Sequence, residues 1–322
     1  MTAPDPGGIG PGDIDAAVAD ILEAAGLGAG HAPLVARHGG LDHTVYATRT
    51  PKHRLLVKTV AVGPGRLPAA AWAAATLAAA GIPVPRVLGY TSRVCVETRC
   101  PGRALDTMDD LPVIGAVAAG AGALLRRVHA ITVSGFGRLD AAGRGTHPDL
   151  RAWLLDRRPP PASATSWRAL LDEVHHTLAE HAGRLAAAGA RLLHGDWAAR
   201  HVIAADGRVT GLVDLASVRG GDPLTDLAAW SLQESAALTR ALFAGYFRTP
   251  PDEAARTALT LYRLRIAASL LAVHSVGNDT VRTMLRARQL RADLEDLARG
   301  TPRTAPRICP EPPFNCEVTS CC

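Results

Sequence analysis

Aromatic residues are scarce: Phe, Trp and Tyr make up 4% of the 322 residues. The arginines are scattered and do not alternate with aromatic rings, so the net charge of +5 does not mark a nucleic-acid-binding surface. No apolar run of eighteen residues, free of charge and proline, stands out as a membrane span. The first twelve residues are rich in Gly and Pro and lack the basic and apolar regions of a signal peptide. Residues 1–12 are therefore expected to be disordered and the protein cytoplasmic, with neither nucleic acid nor membrane as a partner. Acidic residues are missing altogether from 67–80, LPAAAWAAATLAAA. Cysteine is rare until the end, where Cys309, Cys316, Cys321 and Cys322 account for four of the six. Their spacing matches no zinc ribbon or finger. Residues 300–322 read as a Cys/Pro-rich tail, either an unordered extension or a redox-sensitive, metal-scavenging or docking segment. Cys95 and Cys100 are expected to be buried thiols.

What is present is concentrated in residues 194–226, HGDWAARHVIAADGRVTGLVDLASVRGGDPLTD. His194-Gly195-Asp196 breaks a short apolar run. His201-Val202-Ile203-Ala204 is strand-like, Asp206-Gly207 is a strong hairpin turn, and Val209–Val213 forms the return strand. Asp214 then sits just past a strand end. Asp222 suits a helix N-cap, Pro223 the first helical position and Asp226 the first turn. Such a unit can fold Asp196 and Asp214 side by side. Two convergent carboxylates suit phosphoryl transfer, one receiving the proton of an attacking hydroxyl and the other holding magnesium.

Taken together, His194-Gly195-Asp196, Val213-Asp214 and Gly221–Ala228 (GDPLTDLA) closely resemble the Brenner-type motif of aminoglycoside phosphotransferases and related small-molecule kinases. The resemblance implies an α+β, bilobal protein-kinase-like fold, with a small antiparallel-sheet N-lobe at 13–100 and a mainly helical C-lobe at 101–299. It implies Asp196 as the catalytic or hydroxyl-orienting residue and Asp214 as the principal magnesium ligand. Asp222, with His194, would support the catalytic loop. The family carries Asn five residues after the catalytic aspartate as a second metal ligand. This chain has His201, which either coordinates or hydrogen-bonds across the loop.

A kinase reading requires a nucleotide site upstream. Gly39, Gly40, His43 and Thr44 belong to a Gly-bearing bend between strands, where backbone amides can approach phosphates. Leu55-Leu56-Val57 leads to Lys58, the best candidate for the α- and β-phosphates. Kinases of this type pair that lysine with a glutamate on the next helix. Here the expected position is Ala70, and the nearby acids are Asp42 and Glu97. GIPVPRVL at 81–88 is typical of the family. In the family, backbone groups around Glu97 to Arg99 form the inter-lobe hinge that meets adenine.

Helices are expected at 108–131, 167–189, 226–247, 251–275 and 279–299. Candidate acceptor-binding acids are Asp226, Glu234 and Asp279. No dense acidic cluster lies outside the catalytic unit, so an acceptor less cationic than an aminoglycoside fits the charge balance. These features lead to an ATP- or GTP-dependent, magnesium-requiring O-phosphotransferase. Its expected partner is a hydroxylated small molecule, an antibiotic or related natural product, in resistance or self-protection. A Ser/Thr kinase acting on a biosynthetic peptide and a catalytically impaired pseudokinase are the alternatives.

Overall fold

Strand β1 (Val35–Gly39), β2 (Thr44–Arg49) and β3 (Arg54–Thr59) begin an antiparallel sheet that β4 (Val87–Tyr90) and β5 (Val94–Thr98) complete in the order β1-β2-β3-β5-β4. The chain is α+β, and its computed structural model describes residues 9–39, 43–60, 65–156, 162–185 and 189–307. Alternation in β3 sorts its two faces. Leu55 and Val57 are fully buried with Val94 and Val96 against Ile14, Val18 and Leu22 of helix α1 (Pro11–Ala24). Lys58 points the other way, toward helix α2 (Leu67–Ala79). Helix α1 reaches two residues into the segment expected to be disordered, because Pro11 suits a helix start. Residues 1–8, Gly40, Asp42 and the tail cysteines lie outside the described residues.

After α2 the chain turns at Gly81 (φ 67°), and prolines 83 and 85 hold it extended into β4. Strand β6 (Arg103–Ala104) pairs with β10 (Val202–Ala205), and β10 with β11 (Arg208–Leu212), so the hairpin around Asp206-Gly207 is present. A second small sheet runs β8-β7-β12-β9, from β7 (Phe136–Leu139), β8 (Gly145–His147), β9 (Arg191–Leu193) and β12 (Arg219–Gly221). These two short sheets present the segments that carry Asp196 and Asp214.

Helix α3 (Leu111–Val128) is capped by Asp110, whose carboxylate accepts from Val113 N–H at 3.3 Å. By length and composition it could cross a membrane, although Pro112, Arg126 and Arg127 interrupt its apolar run. Here Val117, Ala121 and Leu125 are buried in the main core. Small helices follow at α4 (Leu150–Leu154) and α5 (Arg168–His181), the latter ending well before residue 189. The expected helix at 226–247 is two: α6 (Leu224–Gln233) and α7 (Ala236–Tyr246). Glu234 leaves the helical region, and the Ser235 hydroxyl caps the new helix at Leu238 N–H, 3.2 Å away. Helices α3 and α7 touch at glycines: a Cβ at Gly122 would overlap the Leu242 carbonyl, and one at Gly245 that of Ala119.

Helices α8 (Glu253–Val276) and α9 (Thr280–Ala298) are joined by a buried bidentate pair, Arg263 to Asp293, with contacts of 2.8–3.2 Å. Residues 301–307 are folded onto them. Arg263 donates to the Arg303 and Thr304 carbonyls, and Arg307 meets Glu295 and Asp296. The tail is thus anchored through residue 307.

Candidate active site

Gly195 adopts φ 82°, and a Cβ there would overlap the Ser217 carbonyl, so the loop bearing Asp196 passes tightly against the segment after Asp214. Asp214 itself is left-handed (φ 62°, ψ 59°), a costly conformation for a non-glycine residue that its surroundings must hold. Val213 N–H donates to the His201 carbonyl at 3.0 Å, and His194 Nε2–H donates to the Val213 carbonyl at 2.9 Å. From the other side, Arg66 at the start of α2 donates to the Ala216 and Val218 carbonyls at 3.0 and 3.3 Å.

His201 joins the two carboxylates. Its Nδ1–H donates to the Asp196 carbonyl at 2.8 Å, and its Nε2 lies 3.4 Å from Asp214 Oδ2. Burial, then the neighbouring His194 ring and Arg200, lowers the imidazole to about 4. Burial opposes ionisation of Asp214, but His201, Lys58 and His43 outweigh it and hold the carboxyl below its usual range. Asp214 Oδ2 and His201 Nε2 thus face each other as two donor atoms able to share a divalent cation. No group of three or more His, Cys, Asp or Glu side chains among the described residues could hold a metal. A cation here must draw on phosphate oxygens and water, which is how magnesium is commonly held.

Asp196 has a partner that the sequence reading missed. Arg200, four residues on, grips both of its oxygens at 2.9 and 2.8 Å and donates to Gln233 Oε1 at 2.8 Å. Burial raises the Asp196 carboxyl, but Arg200 and then His201 more than compensate, leaving it below the ordinary carboxylate range. The signal was the i, i+4 spacing of Asp and Arg.

The loop brace is Asp226, not Asp222. Asp226 is fully buried and accepts from His194 N–H at 2.7 Å and Gly195 N–H at 2.9 Å. His129 Nε2–H donates to it at 3.1 Å, and Tyr246 O–H donates to His129 Nδ1 at 2.9 Å. Asp226 is therefore no acceptor-binding residue. Asp222 instead accepts from Leu224 N–H at 2.8 Å and Tyr262 O–H at 2.9 Å, a turn-capping role. Asp279 caps α9 at Arg282 N–H, 3.0 Å away, and pairs with the Arg282 side chain. Glu234 accepts from Ala199 N–H of the catalytic loop at 2.7 Å, and burial raises its carboxyl to about 7.

On the sheet side, Lys58 Nζ lies 2.8 Å from Glu97 Oε1. Lys58 pairs with Cys95 across β3 and β5, and Glu97, two residues further, emerges on the same face. Burial lowers the Lys58 ammonium, but Glu97 outweighs it and the net shift is upward. Ala70 borders the same cavity with His43 and Asp214, so the helix faces the lysine without a carboxylate. Thr44 begins β2 opposite Gly39. At the expected hinge, Thr98 and Arg99 give their N–H groups to the Arg86 and Arg54 carbonyls, both at 2.9 Å. Burial raises the Cys95 and Cys100 thiols to about 12 and about 11.

The pattern of the phosphotransferase enzyme family (APH) matches residues 34–259, more than half of the chain. No curated protein sequence matches it. Among solved structures, a thermostable mutant of aminoglycoside phosphotransferase APH(4)-Ia superposes with a TM-score of 0.72 at 20% identity, over 86% of this chain and 98% of that one. A further variant of that enzyme, in a ternary complex with AMP-PNP and hygromycin B, gives 0.73 at 19% identity, over 84% and 96%. Macrolide 2'-phosphotransferase MphH from Brachybacterium faecium gives 0.55 at 20% identity, over 87% and 98%. At these identities the likeness is one of fold, that of the protein-kinase-like phosphotransferases.

Proposed function

Since the chain belongs to the phosphotransferase enzyme family, we propose that it transfers the γ-phosphoryl group of ATP to a hydroxyl of a small molecule, an antibiotic or related natural product. The observation that carries this reading is the junction at His201, which brings the Asp196 loop and the Asp214 turn to one point. Lys58, fixed by Glu97, supplies the cation for the nucleotide phosphates. Asp214, with His201 beside it, would hold magnesium, which neutralises phosphate charge when bound.

Arg200 orients the Asp196 carboxylate but leaves lone pairs on both oxygens, since each can accept more than one hydrogen bond. The acceptor hydroxyl donates to one of them. As its oxygen bonds to phosphorus, the bond from phosphorus to the β–γ bridging oxygen breaks and that electron pair stays with ADP. The hydroxyl proton passes to Asp196. A carboxylate with a lowered pKa is a weak base, so Asp196 orients the hydroxyl first and takes its proton late, in keeping with a loose transition state. Nucleotide- and hygromycin-bound relatives of the same fold support the reading. The Lys58–Glu97 pair removes the missing helix carboxylate as a reason to favour a pseudokinase.

The test is purified protein with ATP, magnesium and a panel of hydroxylated antibiotics, read by mass spectrometry for one added phosphate, beside a precursor-peptide panel. Asp196→Ala should lower turnover by roughly 10²–10⁴-fold without unfolding the protein. Unchanged turnover in that variant, or phosphate on peptides alone, contradicts the proposal.

A further inference from the structure

The most informative departure from the family pattern is a nitrogen where an amide oxygen is expected. His201 is a buried residue whose ring stacks on His194 at 5.5 Å between centroids, 24° between planes. Its Nδ1 is 2.8 Å from a carbonyl oxygen, which can only accept, so Nδ1 carries a proton and Nε2 is the ring atom left to bind a cation. Metal-bound histidines are commonly oriented in this way, by giving the second ring N–H to a backbone carbonyl. That Nε2 lies 3.4 Å from Asp214 Oδ2. The main-chain bond from Val213 N–H to the His201 carbonyl fixes the two ligand segments to each other.

Magnesium prefers oxygen ligands and releases water reluctantly, whereas first-row transition ions accept mixed nitrogen and oxygen donor sets, Mn²⁺ the least tightly of them. Resting on the phosphotransferase reading above, we propose that His201 Nε2 and Asp214 Oδ2 form a mixed nitrogen–oxygen site that selects Mn²⁺ over Mg²⁺ in the nucleotide complex. Mn²⁺ accepts octahedral phosphate and water oxygens as Mg²⁺ does, and also takes the imidazole. A family member with Asn at this position offers oxygen and gains no such preference. The choice of ion is thereby written into one side chain.

Pulsed electron paramagnetic resonance on the full-length protein with Mn²⁺ and ADP reads the bond directly. Nitrogen coupling is expected, and it should change isotope pattern when the protein's histidines carry ¹⁵N, which separates it from adenine nitrogen. It should vanish in His201→Asn and persist in His43→Asn. Competition by Mg²⁺ should show a Mn²⁺:Mg²⁺ affinity ratio about tenfold or more higher in the wild type than in His201→Asn, the lower end of what is lost when histidine ligation is disturbed. Tight Mn²⁺–ADP binding without histidine coupling, or an equal ratio in both proteins, overturns the proposal and leaves the phosphotransferase reading standing. Failure to bind Mn²⁺ and ADP together overturns both. If His201→Asn does not fold, the isotope comparison in the wild type decides alone.

Discussion

Replacing Asp226 by Asn tests which acid supports the catalytic loop. In the wild type one carboxylate takes three donors: His194 N–H, Gly195 N–H and His129 Nε2–H. An amide has a single acceptor oxygen, so its NH2 group must face at least one of those donors. Two effects add: a buried donor is left unmet, costing about 1–3 kcal/mol, and hydrogen bonds to a charge become weaker neutral ones. A loss of about 3 kcal/mol follows, near the lower end for removing one partner of a buried charged pair. With an unfolding entropy of about 2.1 cal/mol/K per residue and roughly 300 ordered residues, this corresponds to a fall in Tm of about 5 °C. Calorimetry reads it, and phosphate transfer should fall with it because Gly195 adjoins Asp196. Asp222→Asn keeps an oxygen for Leu224 N–H, and the amide can accept from or donate to the Tyr262 hydroxyl, so it should lower Tm by about 2 °C or less. A larger fall for Asp222→Asn, or no fall for Asp226→Asn, refutes the assignment.

Glu97→Gln removes the charge that fixes Lys58, so nucleotide KM should rise by about tenfold in steady-state assays; an unchanged KM would show that the pair does not orient the lysine. Gly195→Ala forces a Cβ onto the Ser217 carbonyl at a positive φ, and should abolish turnover and lower Tm by several degrees; a wild-type Tm contradicts the tight approach. Glu234 is raised from 4.5 to about 7, so between these values the folded state holds more protons than the unfolded one, and stability falls as pH rises through that window. Glu234→Gln keeps an acceptor for Ala199 N–H and should flatten Tm between pH 5 and 8. A slope as steep as the wild type's would rule Glu234 out as its source.

The order HGD, Val-Asp, GDPLTDLA made the family and the α+β fold legible in the sequence, because turn chemistry marks the unit throughout: a Gly at positive φ in HGD, the Asp206-Gly207 hairpin before Val-Asp, a Pro-initiated helix in GDPLTDLA. The exchange of roles between Asp222 and Asp226 was not legible. Both acids sit at one strand-to-helix turn, and which of them points inward depends on the packing of α3 and α7, which brings His129 and Tyr246 beneath the loop. The absence of an acid on α2 was plain. That Glu97 takes its place could have been read from the pleat once the pairing of β3 with β5 was known, but that register is a long-range fact. The Asp196–Arg200 contact is open to sequence reading through its i, i+4 spacing, whereas the bond from Arg200 to Gln233 depends on how α6 docks.

With both members of the Lys58–Glu97 pair on adjacent strands of one sheet, the Lys58 ammonium needs no carboxylate from α2 to be held in place. An enzyme that borrows this carboxylate from a mobile helix can be silenced by swinging that helix away. Here a shift of α2 would leave that pair in place but would draw Arg66, at the helix start, off the Ala216 and Val218 carbonyls.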